Sequence, residues 1–409
     1  MQNCYIIYVV AFAAERRKSI AARKNARGRV VYMITVKQIS TKRDKKKFFK
    51  FVIDLYRNNP HACCNLYADE FAEFDPKIND AFRFADCKMF LAYKDGKIAG
   101  RIAGIWHRGV NEKFGYKQLR FTRFDVIDDF EVTKALFAEL FKWAKELGMT
   151  EIIGPMSFSD LNEEGMLIEG FDRDSNYIEI YNAPYYVEHM QKLGAYKVVD
   201  WNCYVINAPD KVNERFKRLS QAVMDRHGYE ILDVRYYLKH DKKKLKEYIM
   251  QALDVLDEAF AELYGTSPIN EKQKKRETDT IMMVLIPELA TVVLKDGKVV
   301  AYGFVMPSMK EVLQKGRGHI FPNGLIPYMR AMKRPETADM LSMAIAPAHR
   351  NKGISAIIIN HCLEGVVNLG IKKLEAGPEL EENHHIQNLW KSFDAELAKK
   401  CRCWGLKVE

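Results

Sequence analysis

One supersecondary pattern occurs twice in this chain, and that repeat constrains the fold more than any other feature. Tyr93-Lys94-Asp95-Gly96-Lys97-Ile98-Ala99-Gly100 reads as a hairpin, an Asp-Gly turn between apolar strands at 89–92 and 98–105. Leu294-Lys295-Asp296-Gly297-Lys298-Val299-Val300 repeats it 201 positions later, between 290–294 and 299–306. A helical pattern follows the first hairpin, with Leu136, Phe137, Leu140, Phe141, Ala144 and Leu147 on one face and Gly148 closing it. Its counterpart carries Ile358, Cys362, Leu363, Val366 and Leu369, closed by Gly370. Each helix leads into a short strand ending in Gly-Pro, at Gly154-Pro155 and Gly377-Pro378. Those pairs lie 223 positions apart, so the second copy holds 22 more residues, assigned to the Gly-, Pro- and base-rich stretch 307–335. Hairpin, strand, helix and strand, twice over, predict an α/β fold of mixed-sheet (α+β) type in two similar domains, 33–207 and 208–409.

The copies differ before their helices. The second has Arg350-Asn351-Lys352-Gly353-Ile354-Ser355, a basic glycine turn opening onto an apolar helix. Uncapped N–H groups and the helix dipole make such a turn an anion site, and Gly353 lets backbone approach a phosphate. The first copy has Phe124-Asp125-Val126-Ile127-Asp128-Asp129-Phe130, acidic and without glycine. Its aspartates suit a helix cap and would repel a pyrophosphate. The second copy is therefore expected to hold a phosphorylated ligand, and the first to be structural or to shape the other substrate's site.

A chain of 409 residues, 48% hydrophobic and 29% charged, has room for two cores. The net charge of +10 is concentrated at the start: residues 1–32 supply +6, leaving +4 for the rest. With no aromatic-basic interleaving, zinc spacing or helix-turn-helix pattern, nucleic acid is not an expected partner. Residues 1–32 run from apolar to basic, the reverse of a signal peptide, and read as foreign to the fold, with a short amphipathic anchor as the rival. A plausible first strand begins at Met33. The eight cysteines show no metal or redox spacing, which suits free thiols in a reducing cytoplasm.

The order strand, Arg-x-x-Gly-x-small, helix, strand, Asn at 350–355 and Asn383 resembles the acyl-CoA loop of the Gcn5-related N-acetyltransferase (GNAT) superfamily. From Met33 onward the chain is similar to a family of bacterial proteins of two GNAT-like halves. The strings at 121–129, 154–160, 164–172, 181–186 and 378–384 carry that similarity. Fem-type aminoacyl transferases match in architecture only. The resemblance implies an N-acyltransferase using acetyl-CoA, a longer acyl-CoA or an acylated carrier protein, with no metal. It implies that Asn351 to Ser355 hold the pyrophosphate with help from Arg350 and Lys352. It further implies that Ala344, Ile345 and Ala346 line the acyl-pantetheine arm, and that Asn383 completes the site. Ser355 stands where the superfamily has Gly or Ala. Trp390 stands seven positions beyond Asn383, where a general-acid Tyr is frequent, and an indole cannot take that role. Met190 occupies the equivalent place in the first half.

Amide formation needs a group to accept the amine's proton. The polar stretch 157–174 offers Asp160, Glu163, Glu164 and Glu169, of which Asp160 and Glu164, both in family-like strings, are the first choices. Each also reads as a solvated loop acid. Glu379, Glu382 and His385 form a second group beside the expected thioester. Tyr181, Asn182, Tyr185 and Tyr186 read equally as acceptor-pocket walls and as core. The segment 316–334 mixes bulky apolar groups with positive charge. A packed connector, a lid over a long acyl chain and a peripheral membrane contact all fit it. The lipid readings point to a long-chain, sphingoid-type amine acceptor. A non-catalytic acyl-CoA-binding or regulatory protein is the competing class.

Overall fold

The computed structural model describes residues 33–159, 162–263 and 266–409, with a short pairing of Arg23–Lys24 and Val30–Val31. The rest of the N-terminal expectation lies outside the described residues. Thirteen strands form one sheet: β1 Ile34–Gln38, β2 Ala85–Lys94, β3 Lys97–His107, β4 Gln118–Val126, β5 Glu151–Gly154, β6 Met166–Glu169 and β7 Tyr196–Asn207. The series continues with β8 Glu230–Ile231, β9 Ala290–Lys295, β10 Lys298–Pro307, β11 Thr337–Ile345, β12 Lys373–Leu380 and β13 Ala395–Lys407. Their order is β8-β9-β10-β11-β12-β7-β13-β5-β4-β3-β2-β1, with β6 beside β13.

Local chemistry accounts for both repeats. In each hairpin the Asp-Gly pair takes positive φ at both positions, 51° and 79° at Asp95-Gly96 and 52° and 74° at Asp296-Gly297. That twist matches the strands it joins. Asp129 caps the helix Phe130–Glu146 through Glu131 N–H, as its position implies. This helix packs Leu136, Phe137 and Leu140 against the first half of the sheet. The helix Ile354–Leu369 buries Ile357, Ile358, Cys362 and Val366 against the second half. Both helices sit close because strand glycines make room: a Cβ at Gly100 would lie 2.9 Å from Leu136, and one at Gly303 would lie 2.3 Å from Ile358.

The halves do not close separately. β7, the last strand of the first half, pairs with β12 of the second. β13, at the end of the second, pairs with β5 of the first. The two exchanged strands pair with each other from Ala395↔Ile206 to Gly405↔Tyr196 at the centre of the sheet. The insertion between β10 and β11 forms two helices, Lys310–Gly316 and Leu325–Lys333.

Candidate active site

Strand divergence creates the first part of the site. β11 and β12 pair in parallel only from Thr337↔Lys373 to Met340↔Ala376. Beyond that step β11 runs on to Ile345 paired with β10 alone, and β12 runs on to Leu380 paired with β7. The register of β10 and β11 shifts at Leu341, a bulge that re-aims the strand where the gap opens. Gly377 marks the departure of β12; a side chain there would strike the Asn202 carbonyl at 2.6 Å. Leu341 to Ile345 therefore border a gap whose far wall is Gly377 to Leu380.

The predicted anion turn sits at the end of β11. Ala344 and Ala346 are buried, and Ala346 N–H donates to Val300 O. Asn351 and Gly353 take left-handed φ of 61° and 81°, and the helix begins at Ile354 without a side-chain cap. Asn351, Lys352 and Gly353 are exposed and Ser355 is half-buried, so the first turn opens outward. Arg350 is turned aside, its guanidinium donating to Ala259 O at 2.8 Å.

Glu379 stands on the far wall of the gap. Trp390 Nε1 donates to both its carboxylate oxygens, at 2.9 and 3.1 Å. Burial raises Glu379 to about 7, partly offset by that indole N–H. Trp390 thus orients a carboxylate poised between its two protonation states. The other candidates of this group fare differently: Glu382 and Asn383 are exposed, and the side chain of His385 lies outside the described residues.

The first half shows the same divergence with different contents. β4 and β5 pair only from Gln118↔Glu151 to Arg120↔Ile153, and the register of β3 and β4 shifts beside Arg123. Arg123 has a φ of 49°, an uncommon conformation for a long side chain. Its guanidinium reaches Glu70 at 2.8 Å, Glu73 at 2.6 Å and Glu163 at 3.2 Å. Arg101 pairs with Asp125 at 2.6 Å. Burial pushes Glu163 up to about 7 and raises Glu73, against the pull of Arg123. A cavity of ≈ 40 Å³ lies among Glu70, Arg101, Arg123, Asp125, Glu163 and Glu179. Asp160 lies outside the described residues; Glu164 is buried, its backbone bridged to Met156. Tyr181 lines the cavity, whereas Tyr186 is core.

A buried polar track joins the two divergences. Glu179 pairs with Lys399 of β13, and Lys399 lies 3.6 Å from Glu375 of β12. Glu375 is registered opposite Asp339, which is 0% exposed. Burial holds Asp339 far above the usual carboxylate range. Sequence reasoning missed Glu70, Glu73, Arg101 and Asp339. The usable signal was charge inside apolar strands, as in Gly100-Arg101-Ile102-Ala103 and Ala338-Asp339-Met340-Leu341.

Comparison with known proteins follows the same lines. Residues 252–394 match the family model described as Acetyltransferase (GNAT) family. Over 386 residues the chain is 23% identical to Protein YghO of Escherichia coli (strain K12), covering 93% of this chain and 97% of that one. Over 297 residues it is 23% identical to the bacterial ceramide synthase of Caulobacter vibrioides (strain NA1000 / CB15N), covering 71% and 74%. Among solved structures, the tandem GNAT protein from the clavulanic acid biosynthesis pathway superposes with a TM-score of 0.52 at 13% identity. It spans 92% of this chain and 99% of that one. The fold is thus the predicted one, a mixed α/β sheet built from two GNAT-like halves.

Proposed function

We propose that this chain, an acyltransferase of the GNAT type in tandem arrangement, moves an acyl group from acyl-CoA to the amine of a long-chain, sphingoid-type acceptor. An acyl carrier protein is a possible donor of the same thioester. The observation that carries the reaction class is Glu379, held by Trp390 on the wall of the β11–β12 gap and titrating near neutrality. The donor belongs to the second half, where the uncapped turn of Asn351 to Ser355 suits the pyrophosphate and Ala344 to Ala346 suit the pantetheine arm. The acceptor belongs between the halves, with Glu163 and Glu164 on its first-half side.

The acceptor ammonium gives up one proton before reaction. Its nitrogen then bonds to the thioester carbonyl carbon as the carbon–sulfur bond breaks. Glu379 takes the second nitrogen proton and returns it to the leaving thiolate. Amide, free thiol and one released proton balance the exchange. Direct transfer is the simpler route, and burial, which pushes the thiols of Cys64 and Cys362 up to about 12 and about 11, makes these two poor nucleophiles.

The lipid class of the acceptor draws on the relative named bacterial ceramide synthase and on the insertion. Phe321 and Ile326 are 75% and 71% exposed, and Ile320, Leu325 and Met329 are exposed beside them. Lys333 and Arg334 add positive charge to that surface. Calorimetry with acetyl-CoA, a long-chain acyl-CoA and free CoA tests the donor assignment. Long-chain acyl-CoA should bind, and Gly353→Glu should abolish it. Failure of all three ligands to bind the wild-type chain would overturn the assignment.

A further inference from the structure

The gap between β4 and β5 matches the donor gap in position but not in chemistry. It has no glycine turn and no uncapped basic loop; it has four carboxylates around two arginines. Glu70, Glu73, Asp125 and Glu163 outnumber Arg101 and Arg123, so the cluster carries surplus negative charge when all are ionised. Arg123 spends its donors on Glu70, Glu73 and Glu163, and Arg101 its own on Asp125 and the Phe48 carbonyl. One acceptor is left over. Glu70 is 4% exposed, its Oε1 takes bonds from Arg123 and Asn65, and its Oε2 accepts none. Arg101 Nη1 lies 3.9 Å from that oxygen, too far for a hydrogen bond. A buried carboxylate oxygen without a donor is costly, and a cationic donor is the partner that best removes the cost.

We infer that this first-half cavity binds a primary alkylammonium group, with Glu70 and Glu163 as its direct partners. β12, β7, β13 and β5 separate the two gaps in the sheet, so this group is distinct from the nitrogen acylated beside Glu379. The cavity volume of ≈ 40 Å³ suits such a group, being somewhat more than a single water requires. Phe49, Val52, Tyr56 and Phe124 supply apolar wall for the adjoining carbon chain. Ile180, partly exposed, also lines the cavity. At the inner side, Glu179 begins the track through Lys399 and Glu375 to the foot of the donor gap.

Titration of the full chain with octylamine and with octanol, followed by calorimetry, tests the inference. The amine should bind at least about tenfold more tightly than the alcohol of equal length, as a charge-assisted contact requires. Glu70→Gln should remove most of that preference while leaving long-chain acyl-CoA binding intact, which also reports that the fold survives. Ile180→Trp, which leaves the charges alone, should weaken the amine as well. Equal binding of amine and alcohol, or an amine affinity untouched by both variants, would overturn the site. A wild-type chain that binds octylamine selectively but no acyl-CoA would instead sink the transferase reading and leave the ammonium site standing.

Discussion

At Glu379, the proposed base, burial and a single hydrogen-bonded neighbour act in opposite directions. The carboxylate must be ionised to accept a proton, and burial lifts it to about 7. Activity should therefore fall as the pH drops below about 7 and level off above it. The two indole contacts favour the ionised form, so Trp390→Phe should move the rise of the pH profile to higher pH. A profile unchanged by that variant would dissociate Trp390 from the chemistry. Glu379→Gln should lower kcat by about 10²–10⁴-fold with acyl-CoA affinity retained, as expected for loss of a general base. Arg123 is a different kind of residue. Its removal leaves three carboxylates buried together, so Arg123→Met should cost about 3–5 kcal/mol in urea unfolding. At this scale the sequence was read unevenly. Glu379 reads as one of three candidates after the Gly-Pro pair, with Glu382 and His385, and Trp390 only as a missing acid, because a side chain's partner across eleven positions is not written in its own type. Glu70 and Glu73 lie some fifty positions from Arg123, and no local pattern joins them.

Elements with strong local chemistry were the most legible. The Asp-Gly hairpins and the capped helix at Asp129 follow from residues in immediate contact. The glycine turn at 350–355 is equally plain, and Gly353 is favoured twice over: φ is 81°, and a Cβ would meet Val223 at 2.9 Å. Gly353→Ala should therefore cost about 1 kcal/mol of stability and weaken acyl-CoA binding, measured by melting and calorimetry. Arg350 departs from its expected part, because its guanidinium is drawn to the Ala259 carbonyl at the end of a neighbouring helix. The insertion was ambiguous in sequence, since the same mixture of apolar and basic residues suits a connector, a lid or a membrane contact. The exposure of Phe321 and Ile326 favours contact with lipid. Phe321→Glu with Ile326→Glu should reduce sedimentation with phosphatidylglycerol vesicles by about tenfold or more. Unchanged sedimentation would remove the membrane reading.

Exchange of the last strands ties the molecule into one unit. The repeat gave two halves, but nothing in a strand's own sequence says which neighbour it will choose, so the crossing of β7 and β13 was not visible. Its consequence is that β5 has no outer partner without β13, and β12 none without β7. A chain cut to 33–207 should lack a cooperative melt, whereas the full chain should give one. The exchange also sets the two gaps in one sheet, with the Glu179–Lys399–Glu375 track between them. The whole account turns on whether acyl transfer to an amine occurs. The direct measurement is mass spectrometry of the full chain incubated with a long-chain acyl-CoA and a sphingoid-type amine, beside Glu379→Gln. The account predicts an N-acyl amide formed in step with free CoA, and its near loss in the variant. Release of CoA without amide, or equal amide from both proteins, would contradict it.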